Sequence, residues 1–324
     1  MGAGLSACNE GMRKLLMPAE GSCSNDWMGF GPPEDGSFLA MGDVVLGTQS
    51  QELSSSFFLA LGCHHEYSEA LKVSTGHSGL VLEGSKTGQA AEHSSWPGQF
   101  YVWVEDIRAC LSDCRALSAS SGLALVEDVV CCHDERHPDA VVLRDPGSGN
   151  VVVVNQAPKG YAKALRDERG LPASKPSNVL CLMDLLCYVP RGSIASLTAF
   201  YEQLFSAKVS PTADGCRIHC AAGESMRTTL TFKEDASAET ACGEIGICLY
   251  MPCEAKFRIA FAKTSRAGLA SGTWEEADSR SEFVVPRCID PTSGKPVLEL
   301  LHRVRSPRHP DCPVRDEMHA AMGA

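Results

Sequence analysis

No stretch of this chain approaches the roughly 18 consecutive apolar residues of a membrane-spanning helix, and Met1 to Pro18 lacks the long apolar core of a secretory signal. No block of lysine and arginine stands out either, and 29 basic against 40 acidic residues leave a formal net charge of -11. Phosphate backbones are bound through basic faces, so nucleic acid is set aside as a partner. The Gly-x-Ser-x-Gly nucleophile elbow and the Gly-x-x-x-x-Gly-Lys-[Ser/Thr] phosphate loop are both missing. These absences lead to the expectation of a soluble, cytoplasmic protein.

What is present is globular usage: 44% hydrophobic and 21% charged residues over 324 positions suffice for two domains with their own cores. Most of the sixteen cysteines, among them Cys110, Cys114, Cys187 and Cys248, fall at apolar positions of predicted helices and strands, which reads as buried reduced thiol. Two clusters have the residue types of a zinc site: Cys131-Cys132-His133 with His137, and Cys216 with His219 and Cys220. Neither has a second half at finger spacing, and adjacent strand residues point to opposite faces, so core or surface thiols are expected. His64-His65 follows a helix stop at Gly62 and reads as a surface loop.

The chain repeats itself. Asp145-Pro146-Gly147-Ser148-Gly149 returns as Asp290-Pro291-Thr292-Ser293-Gly294, a shift of 145, and the aromatic pair Phe57-Phe58 returns as Phe200-Tyr201, a shift of 143. Val102-Trp103-Val104 before one helix corresponds to Leu249-Tyr250-Met251 before another. The expected division is a flexible leader over 1–38, a first domain over 39–158, a linker over 159–178, a second domain over 179–308 and a tail over 309–324.

Each half reads as two βαβββ modules. In the first, a strand over Gly42 to Thr48 precedes a helix that Ser50 caps, with Leu53, Phe57 and Leu61 on one seam and Gly62 at its end. The second has Gln99 to Val104 as a strand, a helix after Asp106, and strands over Val126 to Cys132, Ala140 to Leu143 and Val151 to Val154. The third runs from Leu180 to Val189 into a helix capped near Ser193. The fourth has a strand over Ile245 to Met251, a helix with Phe257 and Phe261, then strands over Phe283 to Val285 and Val297 to Leu301. At the other end, Met1-Gly2-Ala3-Gly4-Leu5-Ser6 fits the pattern for myristoylation of Gly2, with Cys8 and Arg13-Lys14 behind it as a second membrane signal.

This module order, with the run Phe283-Val284-Val285-Pro286-Arg287-Cys288-Ile289-Asp290-Pro291 and the ending Glu299-Leu300-Leu301-His302-Arg303-Val304-Arg305-Ser306, resembles the vicinal oxygen chelate superfamily. That family includes glyoxalase I, extradiol dioxygenases and fosfomycin-resistance proteins. The resemblance implies an α+β fold of two tandem domains, each of two βαβββ modules forming a cupped, barrel-like mixed sheet with helices outside. It also implies a divalent metal in the cup (Mn, Ni, Zn, Mg or Fe), chelated by two oxygens of a small oxygenated or thiol-conjugated metabolite.

The resemblance puts metal ligands on the first and last strand of each module, and here the sequence departs from the pattern. The first-strand positions carry Asp43, Gln99, Asp184 and Gly246 instead of histidine, and the last strands offer Val151 to Val154 in one half and Glu299 in the other. The implied ligand set is Asp43 and Gln99 in the first domain and Asp184 and Glu299 in the second, with Glu299 as ligand or catalytic base, and a site shared between non-adjacent modules is the alternative. A 2-His-1-carboxylate triad is missing, which argues against oxygenase activity. Period two places Gln99, Tyr101 and Trp103 on one strand face and Asp184 with Tyr188 on another. Tyr101, Trp103, Tyr188 and Tyr250, with His302 on the strand face opposite Glu299, are the substrate-lining candidates, while Arg287, Arg303 and Arg305 near the last strand either clamp a carboxylate or phosphate or, as is usual on an edge strand, are solvated.

Two classes of function follow. One is a metal-dependent lyase or isomerase of the glyoxalase type. The other is a metal-free binding or interaction protein, held at a membrane only through acylated Gly2. The sequence is equally compatible with domains that pair within one chain and with a homo-oligomer.

Overall fold

The computed structural model describes residues 38–66, 72–74, 78–84, 96–121, 140–158, 160, 162–163, 166, 178–222, 226–238, 245–272 and 281–314. Gly2, Cys8, His133, His137 and the strand expected over Val126 to Cys132 lie outside them. Four modules follow in order. The first is β1 (Ala40–Thr48), α1 (Gln51–Leu61), β2 (His64–Glu66), β3 (Lys72–Ser74) and β4 (Gly79–Gly84). The second is β5 (Gly98–Val104), α2 (Ile107–Ser121), β6 (Val141–Arg144) and β7 (Val151–Gln156). The third is β8 (Val179–Val189), α3 (Ile194–Phe205), β9 (Val209–Pro211), β10 (Gly215–Ala222) and β11 (Met226–Glu234). The fourth is β12 (Gly246–Tyr250), α4 (Glu254–Arg266), β13 (Glu282–Val285), β14 (Cys288–Ile289), β15 (Pro296–Leu298) and β16 (Leu301–Arg305).

Local chemistry starts and stops the helices. The Ser50 side chain accepts from the Leu53 amide at the head of α1, and Gly62, at φ 109°, turns the chain out of it in the left-handed region. Asp106 receives the Arg108 and Ala109 amides at 2.8 and 3.1 Å and opens α2. Ser193 makes no side-chain cap, contrary to its expected role. Glu234, at the end of β11, receives the Gly192 and Ile194 amides instead.

Within each module the first and last strands pair in parallel, as the intervening helix requires: β1 with β4, β5 with β7, β8 with β11, and β12 with β16. Modules then join through antiparallel first strands into two mixed sheets, each of seven strands among the described residues. The first sheet runs β13-β16-β12-β1-β4-β3-β2 and the second β6-β7-β5-β8-β11-β10-β9. The first module therefore shares a sheet with the fourth, and the second with the third, so each sheet spans both sequence halves.

The halves are held by their helices and repeated turns. The Gly147 carbonyl receives Thr48 Oγ1 at 2.9 Å and the Gln49 amide at 2.9 Å, so the turn after β6 sits on the head of α1. Its counterpart docks on α3, where Ser196 Oγ lies 3.2 Å from Asp290 Oδ2. The repeated aromatic pairs also match: Phe57 and Phe58 meet edge-on at 5.2 Å, as do Phe200 and Tyr201. Alternate residues such as Val44 and Leu46 of β1, Val102 of β5, Leu185 of β8 and Ile247 of β12 join the helices in one core across both sheets. The opposite face of each sheet is its cup. Among the described residues no helix is long and apolar enough to cross a membrane, and every described cysteine is a free thiol.

Two strand expectations change. His64 and His65 belong to β2 rather than a loop, with His64 Nε2 at 3.1 Å from Asn178 Oδ1. The strand expected over Val297 to Leu301 is two strands: Pro296–Leu298 pairs with Cys288–Ile289 in a separate hairpin, and Leu301–Arg305 joins the first sheet. Glu299 stands at the corner between them.

Candidate ligand cup

The four implied metal ligands are divided between the sheets. Asp43 lies at a bulge of β1 in the first sheet, where register shifts between Met41 and Val44. Glu299 stands beside that sheet, 41% exposed in its side chain and 3.3 Å from the Arg287 guanidinium. Gln99 and Asp184 are in the second sheet, on the central antiparallel pair β5 and β8. Asp184 and Glu299 therefore do not share a cup, and neither do Asp43 and Gln99. The cause is the pairing of first module with fourth, which a reading by sequence halves does not contain.

The floor of the second cup carries two hydrogen-bonded polar groups side by side. Tyr101 stands opposite Asp184 in the β5–β8 register, and its hydroxyl donates to Gln99 Oε1 at 2.9 Å. Asp184 Oδ1 accepts from Thr229 Oγ1 at 2.7 Å and from Thr231 Oγ1 at 2.8 Å. Thr231 Oγ1 in turn receives Arg217 Nε at 3.2 Å. The result is a donor chain from guanidinium through hydroxyl to carboxylate, with directions fixed by the absence of any acceptor on arginine. On β10 beyond it, His219 Nε2 lies 3.2 Å from Ser210 Oγ. Cys216 and Cys220 point into the core and His219 toward the cup. Trp103 is partly covered by Ala157, Ala162 and Leu180, where the chain leaving β7 folds back over that end.

The first cup is filled by its own chain. Cys312 and Val314 pack with Leu39, Ala40, Cys248 and Tyr250 in a cluster separate from the main core. Tyr250, expected to line substrate, is buried there and donates its hydroxyl to the Asp311 carbonyl at 2.7 Å. Residues 309–314, expected as tail, are thus packed structure. Burial pushes the Cys248 thiol up to about 12, which leaves it protonated and a poor nucleophile at neutral pH.

His302, the other substrate-lining candidate of the fourth module, faces away from the cup. It is fully buried, with Nε2 at 2.7 Å from the Tyr201 hydroxyl and its ring among Phe200, Tyr201 and Phe205. On β16 it alternates with Leu301 and Arg303, and period two assigns it to the core.

These residues do not fit a resident catalytic metal. Such a site needs about three convergent protein ligands and an open position, and among the described residues no three His, Cys, Asp or Glu side chains converge. The Asp184 oxygens are engaged by threonine hydroxyls and Gln99 Oε1 by a phenol. The sequence reading missed Arg217, Thr229 and Thr231, although the alternation Thr229-Leu230-Thr231-Phe232-Lys233 carries the period-two signal of a half-buried strand.

No protein-family profile and no curated protein sequence matches the chain. Solved structures do. A candidate dioxygenase from Bacillus subtilis superposes with a TM-score of 0.52 at 10% identity, over 89% of this chain and 91% of its own. Glyoxalase I from Zea mays gives 0.48 at 11% identity, over 88% and 97%. The paired modules, the two cupped sheets and the first of these likenesses give the chain the vicinal oxygen chelate fold.

Proposed function

We propose that the protein binds a small oxygen-bearing metabolite in its second cup and does so without a resident metal ion. The observation that supports this is the array Arg217–Thr231–Asp184–Thr229, ordered by its own hydrogen bonds on the cup floor. Such an array is organised before a ligand arrives, so less ordering entropy opposes binding. Asp184 accepts hydroxyl protons, the Arg217 guanidinium donates, and Tyr101 and Tyr188 supply flat apolar walls, the usual composition of a small-molecule site.

A second reading, divalent-metal-assisted lyase or isomerase chemistry, draws on one feature. Asp184 and Gln99 are oxygen donors on the same central strand pair, but recruiting them requires that Tyr101, Thr229 and Thr231 release them.

The test is calorimetric titration of the full-length protein with hydroxy-acids, diols and thiol conjugates, with and without Mn²⁺, repeated on Asp184→Asn and Thr231→Val. Metal-independent binding that both variants weaken at least tenfold is the expected result. Binding seen only with Mn²⁺ favours the second reading, and binding unaffected by either variant removes the second cup from consideration.

A further inference from the structure

The contact that closes the first cup is chemically specific. Arg305, only 12% exposed in its side chain, directs Nε to Glu282 Oε2 at 2.7 Å. Its NH1 nitrogen meets the Tyr250 hydroxyl and Asp311 Oδ2, both at 3.0 Å. Glu282 and Tyr250 are built into the sheet, whereas Asp311 arrives on the chain that returns after β16. The Asp311 side chain is 61% exposed, so it is held by its charge partner rather than by burial. Two apolar residues of the same segment, Cys312 and Val314, fill the space beside it over Cys248 and Tyr250.

Arg303 and Arg305 face the cup with Glu282, and Asp43 lies on the same side near Cys248. Asp311 is the carboxylate at the Arg305 NH1 nitrogen that the sheet does not itself supply, and a carboxylate is the natural counter-ion there. The equivalent segment of the other half behaves differently. Arg166, which a shift of 145 relates to Asp311, pairs with Glu105 at 2.6 Å, while Ala157 and Ala162 cover only the Trp103 end of the second cup. The two return segments thus differ in charge at the matching position, and of the two only Asp311 reaches a sheet arginine.

We infer that the first cup is a binding site for carboxylates with an apolar body, and that the chain keeps it occupied with its own Asp311, Cys312 and Val314. A free ligand displaces residues 306–314 by placing its carboxylate on Arg305 and its apolar part over Tyr250. The second cup is not involved.

The test uses the full-length protein and three probes: hexanoate, hexanamide as its neutral counterpart, and the synthetic peptide of residues 306–314. Amide hydrogen exchange in 306–314 of the unaltered protein is expected to quicken with excess hexanoate and not with hexanamide. Val314→Ser, which loosens the segment, is expected to bind hexanoate at least tenfold more tightly than the unaltered protein. Adding Arg305→Lys, which keeps the charge but loses the two-nitrogen fork, is expected to reverse that gain. Tighter binding of the peptide than of hexanoate assigns the ligand as a peptide acid, and the reverse assigns a small acid. Hexanamide acting as well as hexanoate, or no change in exchange and no gain in Val314→Ser, overturns the inference. The exchange measurement decides it even if Val314→Ser fails to fold.

Discussion

Ser54 Oγ donates to Asp145 Oδ2 at 2.7 Å across 91 residues of sequence, and through this bond the turn after β6 is fastened to helix α1. The fit is tight enough to dictate the residue at the turn's centre. A Cβ on Gly147 lies 2.4 Å from Ser54 Oγ and 2.6 Å from the Ser50 carbonyl oxygen. The second copy of the turn has Thr292 at that place and sits more loosely, with Ser196 at 3.2 Å from Asp290. Gly147→Ala is therefore expected to cost roughly 1–3 kcal/mol by overpacking, and Thr292→Ala less than about 0.5 kcal/mol as an exposed change. Urea unfolding of the two variants checks the contrast, and equal effects refute it.

The two turn aspartates also titrate in opposite directions. Burial raises the Asp145 carboxyl above its ordinary value, while the Thr292 and Ser293 amides lower that of Asp290. The stability that Asp145 contributes through its raised value is complete below the ordinary carboxylate range and is lost as pH rises through its folded value. For Asp290 the sign reverses: its contribution is present above the ordinary value and lost as pH falls through the folded one. Relative to Asp145→Asn, the unaltered protein should lose stability between pH 3 and pH 7, roughly the window of a displaced carboxyl. Relative to Asp290→Asn it should gain. Denaturant midpoints across that range decide both.

Tyr201 and His302 form a buried pair whose chemistry sets an acid limit. Burial lowers His302 to about 4, so the neutral ring is the native form. Stability from this residue is present above about 6.5 and lost as pH falls toward 4, a change of about 3 kcal/mol in all and about 2 kcal/mol by pH 5. His302→Gln should lack that slope, so the stability gap between it and the unaltered protein must narrow between pH 7 and pH 5. A constant gap refutes the assignment. Tyr201→Phe should cost about 1–3 kcal/mol at pH 7 by leaving the imidazole without its buried partner.

How much of this was legible in sequence depends on the range of the interaction. The repeat, the cap at Ser50, the stop at Gly62 and the alternation of Gln99, Tyr101 and Trp103 are local, and they read directly. The capping of α3 by Glu234, some 40 positions from the amides it receives, is not local, and the sequence offers Ser193 in its place. Read from sequence, a last strand over Val297 to Leu301 carries Glu299, which matches the carboxylate that the family resemblance implies there. The β14–β15 hairpin takes Val297 and Leu298 out of that strand, and the chain turns a corner before β16. Partner choice between modules lies furthest from sequence, because any two first strands of similar length and apolarity can pair. That choice decides which candidate ligands meet.

Glu299 and Asp184 were expected to act together, and the structure predicts opposite outcomes for removing them. Glu299 is an exposed corner residue paired with an exposed arginine, a contact typically worth about 0–1 kcal/mol. Glu299→Ala should leave stability, metal content and ligand binding unchanged within measurement. Asp184 accepts two threonine hydroxyls, one of which also holds Arg217. Asp184→Ala leaves both hydroxyls without their charged acceptor, costs about 1–3 kcal/mol, and frees Arg217 from its anchor, so binding in the second cup should fall at least tenfold. Isothermal titration with any ligand found for the protein separates the two residues. If Glu299→Ala weakens binding as much as Asp184→Ala, the division of these carboxylates between two sheets is wrong.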